Sequence, residues 1–263
     1  MLVVEYPTNW IIQRVPVAKY LGFNVLLWST TLCLHAVCFT IPSLVAVRTM
    51  LGIFEAVCQP AFLIMSSVWY KRSEQAQVVT YWYMMNGAQQ MVGGLLAYAF
   101  SHIRHPSYKP DPGTAAIRSW QAIFITYGCI SFLWGIFVLY WLPDSPMRAK
   151  CFSEEDKKKM VERVRSNQTG IQNKTFRAYQ FKEALLDPQT YCYMLIQICT
   201  TLPTSGLGAF YNIIIAGLNF TVLQTQLLAM VLGAIIIFTL MTSAWATRKW
   251  NQNLLTMLVF VVP

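Results

Sequence analysis

The sequence predicts an all-α membrane protein, a helical bundle of about six complete spans and two partial ones. Three observations predict it. First, 56% of the 263 residues are hydrophobic and only 12% are charged, where a soluble domain carries about 25% charged residues; mean hydropathy is +0.43. Second, apolar runs recur at the ~20 residues that a helix rising ~1.5 Å per residue needs to cross a bilayer. Third, the basic residues are one-sided. If spans alternate sides, Arg14, Lys19, Lys71, Arg72, Arg248, Lys249 and every basic residue of the long loop 147–189 fall on one side. The other side receives only Arg104, Lys109 and Arg118. That asymmetry makes the long loop cytoplasmic. The net charge of +9 does not point to nucleic acid, because the charges sit in loops between apolar spans.

Met1 to Tyr6 is too short to span and lacks the basic n-region of a signal peptide; it reads as the tail of a helix. Pro7 to Lys19 is expected to be a short loop, with Ile11, Ile12 and Val15 laid on the membrane surface. Tyr20 to Thr40 is the first complete span. Its Gly22, Ser29, Thr30 and Thr31 offer small surfaces for a neighbouring helix, and His35 within it reads as a packing histidine.

Ser43 to Tyr70 is the second span and carries Arg48 and Glu55 inside its apolar run. A charge at the centre of a membrane helix costs roughly 2.5–3.5 kcal/mol on the lenient insertion scale. Arg48, Gly52, Glu55 and Gln59 follow one another at helical spacing, so they share one polar face. Arg48 is close enough to the helix start to snorkel. Glu55 lies ~18 Å along, near the midplane of a ~30 Å core, and needs a partner, a wet cavity or a proton. A helix with one such face reads as the wall of a solute pathway.

Val78 to Ile103 is the third span. Asn86 and Gln90 lie one turn apart there, and their amides suit either a solute or a neighbouring helix. Gly93-Gly94 with Ala97 make a small-residue contact face. A Pro-, Gly- and His-containing loop leads to the fourth span, Trp120 to Leu142, which Pro143 and Pro146 close. In the linker, Ser153-Glu154-Glu155-Asp156 is a helix start with a capping serine, followed by a basic amphipathic helix whose charged face reads as solvated or headgroup-facing. Asn167-Gln168-Thr169 and Asn173-Lys174-Thr175 match the glycosylation pattern but fall on the cytoplasmic side. Tyr191 to Gly217 is the fifth span. Pro203, Gly206 and Gly208 are expected to interrupt it, which membrane depth tolerates only beside a cavity. It then carries Tyr211 and Asn212. Leu227 to Ala246 is the sixth, and Leu254 to Pro263 begins a seventh.

Seven cysteines without a C-x-x-C pair and three histidines without H-x-x-x-H spacing indicate neither a disulfide framework nor a metal centre. No cofactor is expected. With no G-x-S-x-G and no phosphate loop, a membrane enzyme is the least favoured class.

Local motifs carry a resemblance. R-x-x-x-G-x-x-E-A at Arg48 to Ala56, Pro60, W-Y-K-R-x-E at Trp69 to Glu74, Y-W-x-x-x-N-G at Tyr81 to Gly87, G-G-L-L-A-Y at Gly93 to Tyr98 and L-P-D-S-P at Leu142 to Pro146 belong together. The chain resembles the anion:cation symporter family of the major facilitator superfamily, and within it the fungal allantoate permease group. That implies three regions: residues 1–146 as the N-terminal half from late helix 2 to helix 6, 147–189 as the cytoplasmic linker, and 190–263 as the start of the C-terminal half. Helices 1, 10, 11 and 12 are then expected to be missing. Where relatives often carry Pro and Arg just after W-Y-K-R-x-E-Q, Ala76 and Val78 stand here. The resemblance further implies a multi-pass, monomeric protein of the plasma membrane that takes up a small organic anion with protons by alternating access. In that frame Arg48 attracts or orients a carboxylate, Glu55 is the proton carrier or its charge partner, Gln59 shares their face, and Asn86, Gln90, Tyr211 and Asn212 hydrogen-bond the solute. A truncated, non-transporting protein, or a receptor or scaffold descended from a carrier, is the alternative.

Overall fold

The structure is a computed structural model that describes residues 2–101, 119–165, 167, 178–250, 256 and 259–260. Helices dominate the described residues, and none of these lies in a strand. In chain order the helices are α1 (Leu2–Ile12), α2 (Val17–Leu34), α3 (Ile41–Glu55), α4 (Cys58–Trp69), α5 (Arg72–Ser101), α6 (Ser119–Trp141), α7 (Glu154–Arg165), α8 (Ala178–Leu186), α9 (Pro188–Gly217) and α10 (Val222–Trp250). Short 3-10 turns at His35–Val37 and Pro146–Arg148 follow α2 and α6. Two compact units result: Met1–Val79 with His102–Thr175, and Thr80–Ser101 with Phe176–Pro263.

Among the described residues, four stretches are long and apolar enough to cross a membrane: Val17–Val37, Ile41–Trp69, Trp120–Trp141 and Leu227–Trp250. The other two expected spans are α5 and α9, each of 30 residues. At ~1.5 Å per residue each has ample length. The lower hydropathy of α5 comes from the amides and hydroxyls it carries, such as Thr80, Gln89 and Gln90. All of the expected loop His102 to Ser119 except Ser119, together with the Asn173 sequon and most of the seventh span, lies outside the described residues.

In the first unit, α2 and α6 pack with almost no room between their backbones. A Cβ on Gly22 would sit 3.1 Å from the backbone of Leu139, and one on Gly128 would strike Cys33 Sγ. Ser29 and Thr31 are buried on the same helix, their hydroxyls donating to the Leu26 and Leu27 carbonyls. Polar groups satisfied within their own helix leave a smooth, small surface for the neighbour. His35 fits its packing role. It is 1% exposed, stacks on Phe124 at 5.1 Å, and donates from Nδ1 to the Thr31 carbonyl at 3.0 Å. Asp144 of L-P-D-S-P accepts the backbone N–H of Ala18 at 3.0 Å. It thereby supplies a carboxylate to the first turn of α2, where the N–H groups lack helical partners and Pro16 offers no cap.

Three expectations change. The loop after Pro7 is helical to Ile12, because Ile12 is buried with Leu21, Val57 and Ala61 and does not lie on the membrane surface. The charged span is two helices, broken at Ala56–Val57. Pro60 explains the break: it has no N–H for the Ala56 carbonyl, and its ring clashes with that carbonyl in a continuous helix. The span with Pro203, in contrast, runs unbroken as α9. Pro203 leaves the Cys199 carbonyl without its helical donor, and the helix continues through it, with Thr200 and Thr204 donating to the neighbouring Ile196 and Thr200 carbonyls.

The linker helix α7 starts as read, with the Asp156 N–H donating to Ser153 Oγ at 3.2 Å. Its apolar side is not free for lipid, since Val164 is 5% exposed. Arg163 pairs with Glu74 at the turn between α4 and α5. Beside it Asn167 accepts the Arg72 N–H and donates to the Tyr70 carbonyl, each at 3.0 Å. Both ends of that amide are thus occupied, at the first of the two sequons.

Candidate functional site

The sequence-predicted residues fall into two groups, each within one unit. Arg48, Glu55 and Gln59 belong to the first. Arg48 lies in α3, Glu55 is its last residue, and Gln59 opens α4 just past the break. All three side chains are exposed. Arg48 and Glu55 are two helical turns apart, about 10 Å of rise. The ion pairs among the described residues are Lys157–Glu154, Arg163–Glu74 and Arg165–Glu162, so Arg48 and Glu55 form none with each other.

Glu55 borders a cleft of about 660 Å³ walled by Trp28 of α2, Phe54 and Cys58, and Ile130, Trp134 and Phe137 of α6. The wall is aromatic and aliphatic. The indole N–H of Trp28 is buried there without a hydrogen-bond partner among the described residues. Glu55 is the charged group of this lining.

The second group lies around a smaller cavity of about 250 Å³. Gln90 of α5 and Tyr211 of α9 both line it, with Gln89, Gly94, Gly208 and, from α10, Ala229. The reason α5 and α10 stand so close is a pair of glycines. A Cβ on Gly87 would lie 2.7 Å from the Gly233 carbonyl oxygen, and one on Gly233 would lie 2.6 Å from that of Gly87. Only glycine permits this approach. Gly93, Gly94 and Gly208 then leave bare backbone in the wall, so amides and a phenol project into it. No charged residue lines the cavity. A carboxamide both donates and accepts, and so does a phenol, so the arrangement suits a polar, uncharged group.

Asn86 does not line this cavity; it is exposed one turn earlier on α5. The backbone of Asn212 is in α9, and its side chain lies outside the described residues. Gln89, Gly208, Ala229 and Leu232 are lining residues that sequence reasoning did not assign to the site. Gln89 was visible beside Gln90. Nothing in the apolar run of α10 distinguishes Ala229 or Leu232 from lipid-facing neighbours.

The chain belongs to a class of multi-pass helical membrane proteins: the sequence profile of the Major Facilitator Superfamily matches residues 1–262, and the chain is a member of that family. Among its relatives is an uncharacterized transporter of Schizosaccharomyces pombe, 35% identical over 261 residues, 99% of this chain and 48% of the relative. The thiamine pathway transporter THI73 of Saccharomyces cerevisiae is 31% identical over 261 residues, 99% of this chain and 48% of the relative. The allantoate permease of the same yeast is 32% identical over 232 residues, 87% of this chain and 41% of the relative. The chain therefore spans about half the length of the curated relatives it matches.

Proposed function

We propose that the chain forms part of a proton-coupled carrier that takes up a small organic anion across the plasma membrane by alternating access. The observation that carries this reading is the cavity at which Gln90 and Tyr211 converge from α5 and α9. Hydrogen-bonding groups at membrane depth cost free energy unless they meet a partner, and a pathway for a polar solute supplies one. Kinship with a protein named allantoate permease supports an organic anion as the solute, and the full set of relatives named as transporters supports transport over an enzyme or scaffold.

In this reading Arg48 attracts the carboxylate, and Gln59, just past the break, assists. Glu55, set beside an apolar cleft, carries the coupled proton or acts as its charge partner. Asn86, Gln90, Tyr211 and Asn212 hydrogen-bond the remainder of the solute. No metal or prosthetic group is required, and the carrier works as a monomer.

The test is uptake of radiolabelled allantoate by yeast lacking its own permease and expressing the full-length protein. Accumulation should rise as external pH falls and collapse with a protonophore. Glu55→Gln should abolish the pH dependence while leaving exchange of label across the membrane. Unaltered pH-driven accumulation in Glu55→Gln removes Glu55 from coupling.

A further inference from the structure

Gly208 is a helical glycine that neither packing nor conformation demands. A glycine inside a helix weakens it relative to alanine, so its presence calls for a cause. For Gly87 and Gly233 the cause is the backbone contact between α5 and α10. For Gly208 no such contact exists: a Cβ there meets no atom within 4 Å, and its backbone is ordinary α-helix. Gly206 and Gly217 also face open space, but neither lines this cavity. Gly208 does, one turn before Tyr211 and in the same wall as Gln90. A side chain at this position would therefore enter the cavity rather than collide with protein.

We propose that Gly208 sets the upper size of the group admitted between Gln90 and Tyr211, and that this group is the uncharged, hydrogen-bonding part of the solute. The inference rests on the cavity being the solute site. The cavity is small, about 250 Å³, so a large added side chain takes a substantial share of it. Its lining holds no cation. A carboxylate there would be desolvated without compensation, whereas a hydroxyl, amide or ring nitrogen finds donors and acceptors in Gln89, Gln90 and Tyr211. The charged end of the solute then lies elsewhere, and size selection acts on the neutral end.

The experiment uses the full-length protein in membranes, with cysteine placed at the site by Gln90→Cys or Tyr211→Cys. Two probes are applied: hydroxyethyl methanethiosulfonate, which is small and uncharged, and fluorescein maleimide, which is bulky. Peptide-level mass spectrometry separates the introduced thiols from the native ones, and Cys151, exposed in the linker, serves as the labelled control. Both introduced cysteines should react with the small probe. Adding Gly208→Trp should slow that reaction by about tenfold or more, because a thiolate reacts only where the reagent reaches it; Gly206→Trp should leave it unchanged. Gly208→Ala should slow the maleimide alone. If Gly208→Trp does not accumulate in membranes, Gly208→Leu carries the same expectation. Labelling at both positions that Gly208→Trp or Gly208→Leu leaves untouched overturns the role of Gly208 and leaves the site standing. Absence of labelling at both positions, with Cys151 labelled, overturns the cavity as a wet site and the inference with it.

Discussion

Asp144 lies 126 residues from Ala18 in sequence, yet it serves the first turn of α2 as a neighbouring serine or aspartate would. An N-cap residue is worth about 0.5–2 kcal/mol, so Asp144→Ala should lower the thermal midpoint of the purified full-length protein by that stability. Asp144→Asn, which keeps an acceptor, should recover most of it. Gly87 and Gly233 make the opposite kind of contribution, by what they lack. Their facing backbones leave no space for a methyl group, so Gly233→Ala should cost about 1–3 kcal/mol through overpacking, read as the same thermal midpoint. Gly208→Ala, facing open space, should cost nothing on that scale. Gln90→Ala and Tyr211→Phe should raise the KM for uptake severalfold while leaving membrane abundance unchanged; an unaltered KM in both would place the site elsewhere.

The linker element is held at the turn between α4 and α5 by a polar clamp. Arg163 hydrogen-bonds Glu74 and holds its carboxyl below the ordinary value of 4.5. A carboxyl depressed in the folded state stabilises above its unfolded value and loses that contribution as pH falls through the folded one. Attachment of α7 should therefore be constant from neutral pH down to about 4.5 and weaken only below it. Limited proteolysis of the linker against pH measures this. Arg163→Glu should expose the linker to protease at neutral pH, and adding Glu74→Arg should restore protection.

Two prolines in long apolar helices have different outcomes, and the elements around them explain why. Pro60 falls in the first turn of α4, where the missing N–H is no loss, and burial of Val57 and Ala61 against Ile12 and Leu21 holds the bend. Pro203 sits within 30 helical residues whose threonines bond back to the chain. The proline itself was legible in both cases. The outcome depends on what packs beside it, which local pattern does not report.

At the scale of the whole molecule, the order of spans and the position of the linker were legible because lipid permits so few backbone solutions: every N–H and C=O must be satisfied within the span. The basic residues predict sidedness for a similar reason, since charges are retained on one side of the membrane. Glycosidase treatment of the full-length protein should leave the peptide containing Asn167 unshifted in mass, because the basic residues predict a cytoplasmic linker and because the Asn167 amide is engaged with Tyr70 and Arg72.

The candidate site was only partly legible. Ionisable and amide side chains in apolar runs announce themselves by their cost, which is how Arg48, Glu55, Gln90 and Tyr211 were found. Cost does not say which of them meet. By composition alone, the chain determined that it is a multi-span helical membrane protein with a basic segment between two sets of spans, because burial in hydrocarbon constrains residue type over whole segments. Tertiary structure alone decided that Gln90 and Tyr211 line one cavity, that Asn86 stands aside from it, and that Asp144 serves α2. These depend on how closely helices approach, and that distance is set by glycines and buried contacts far apart in the chain.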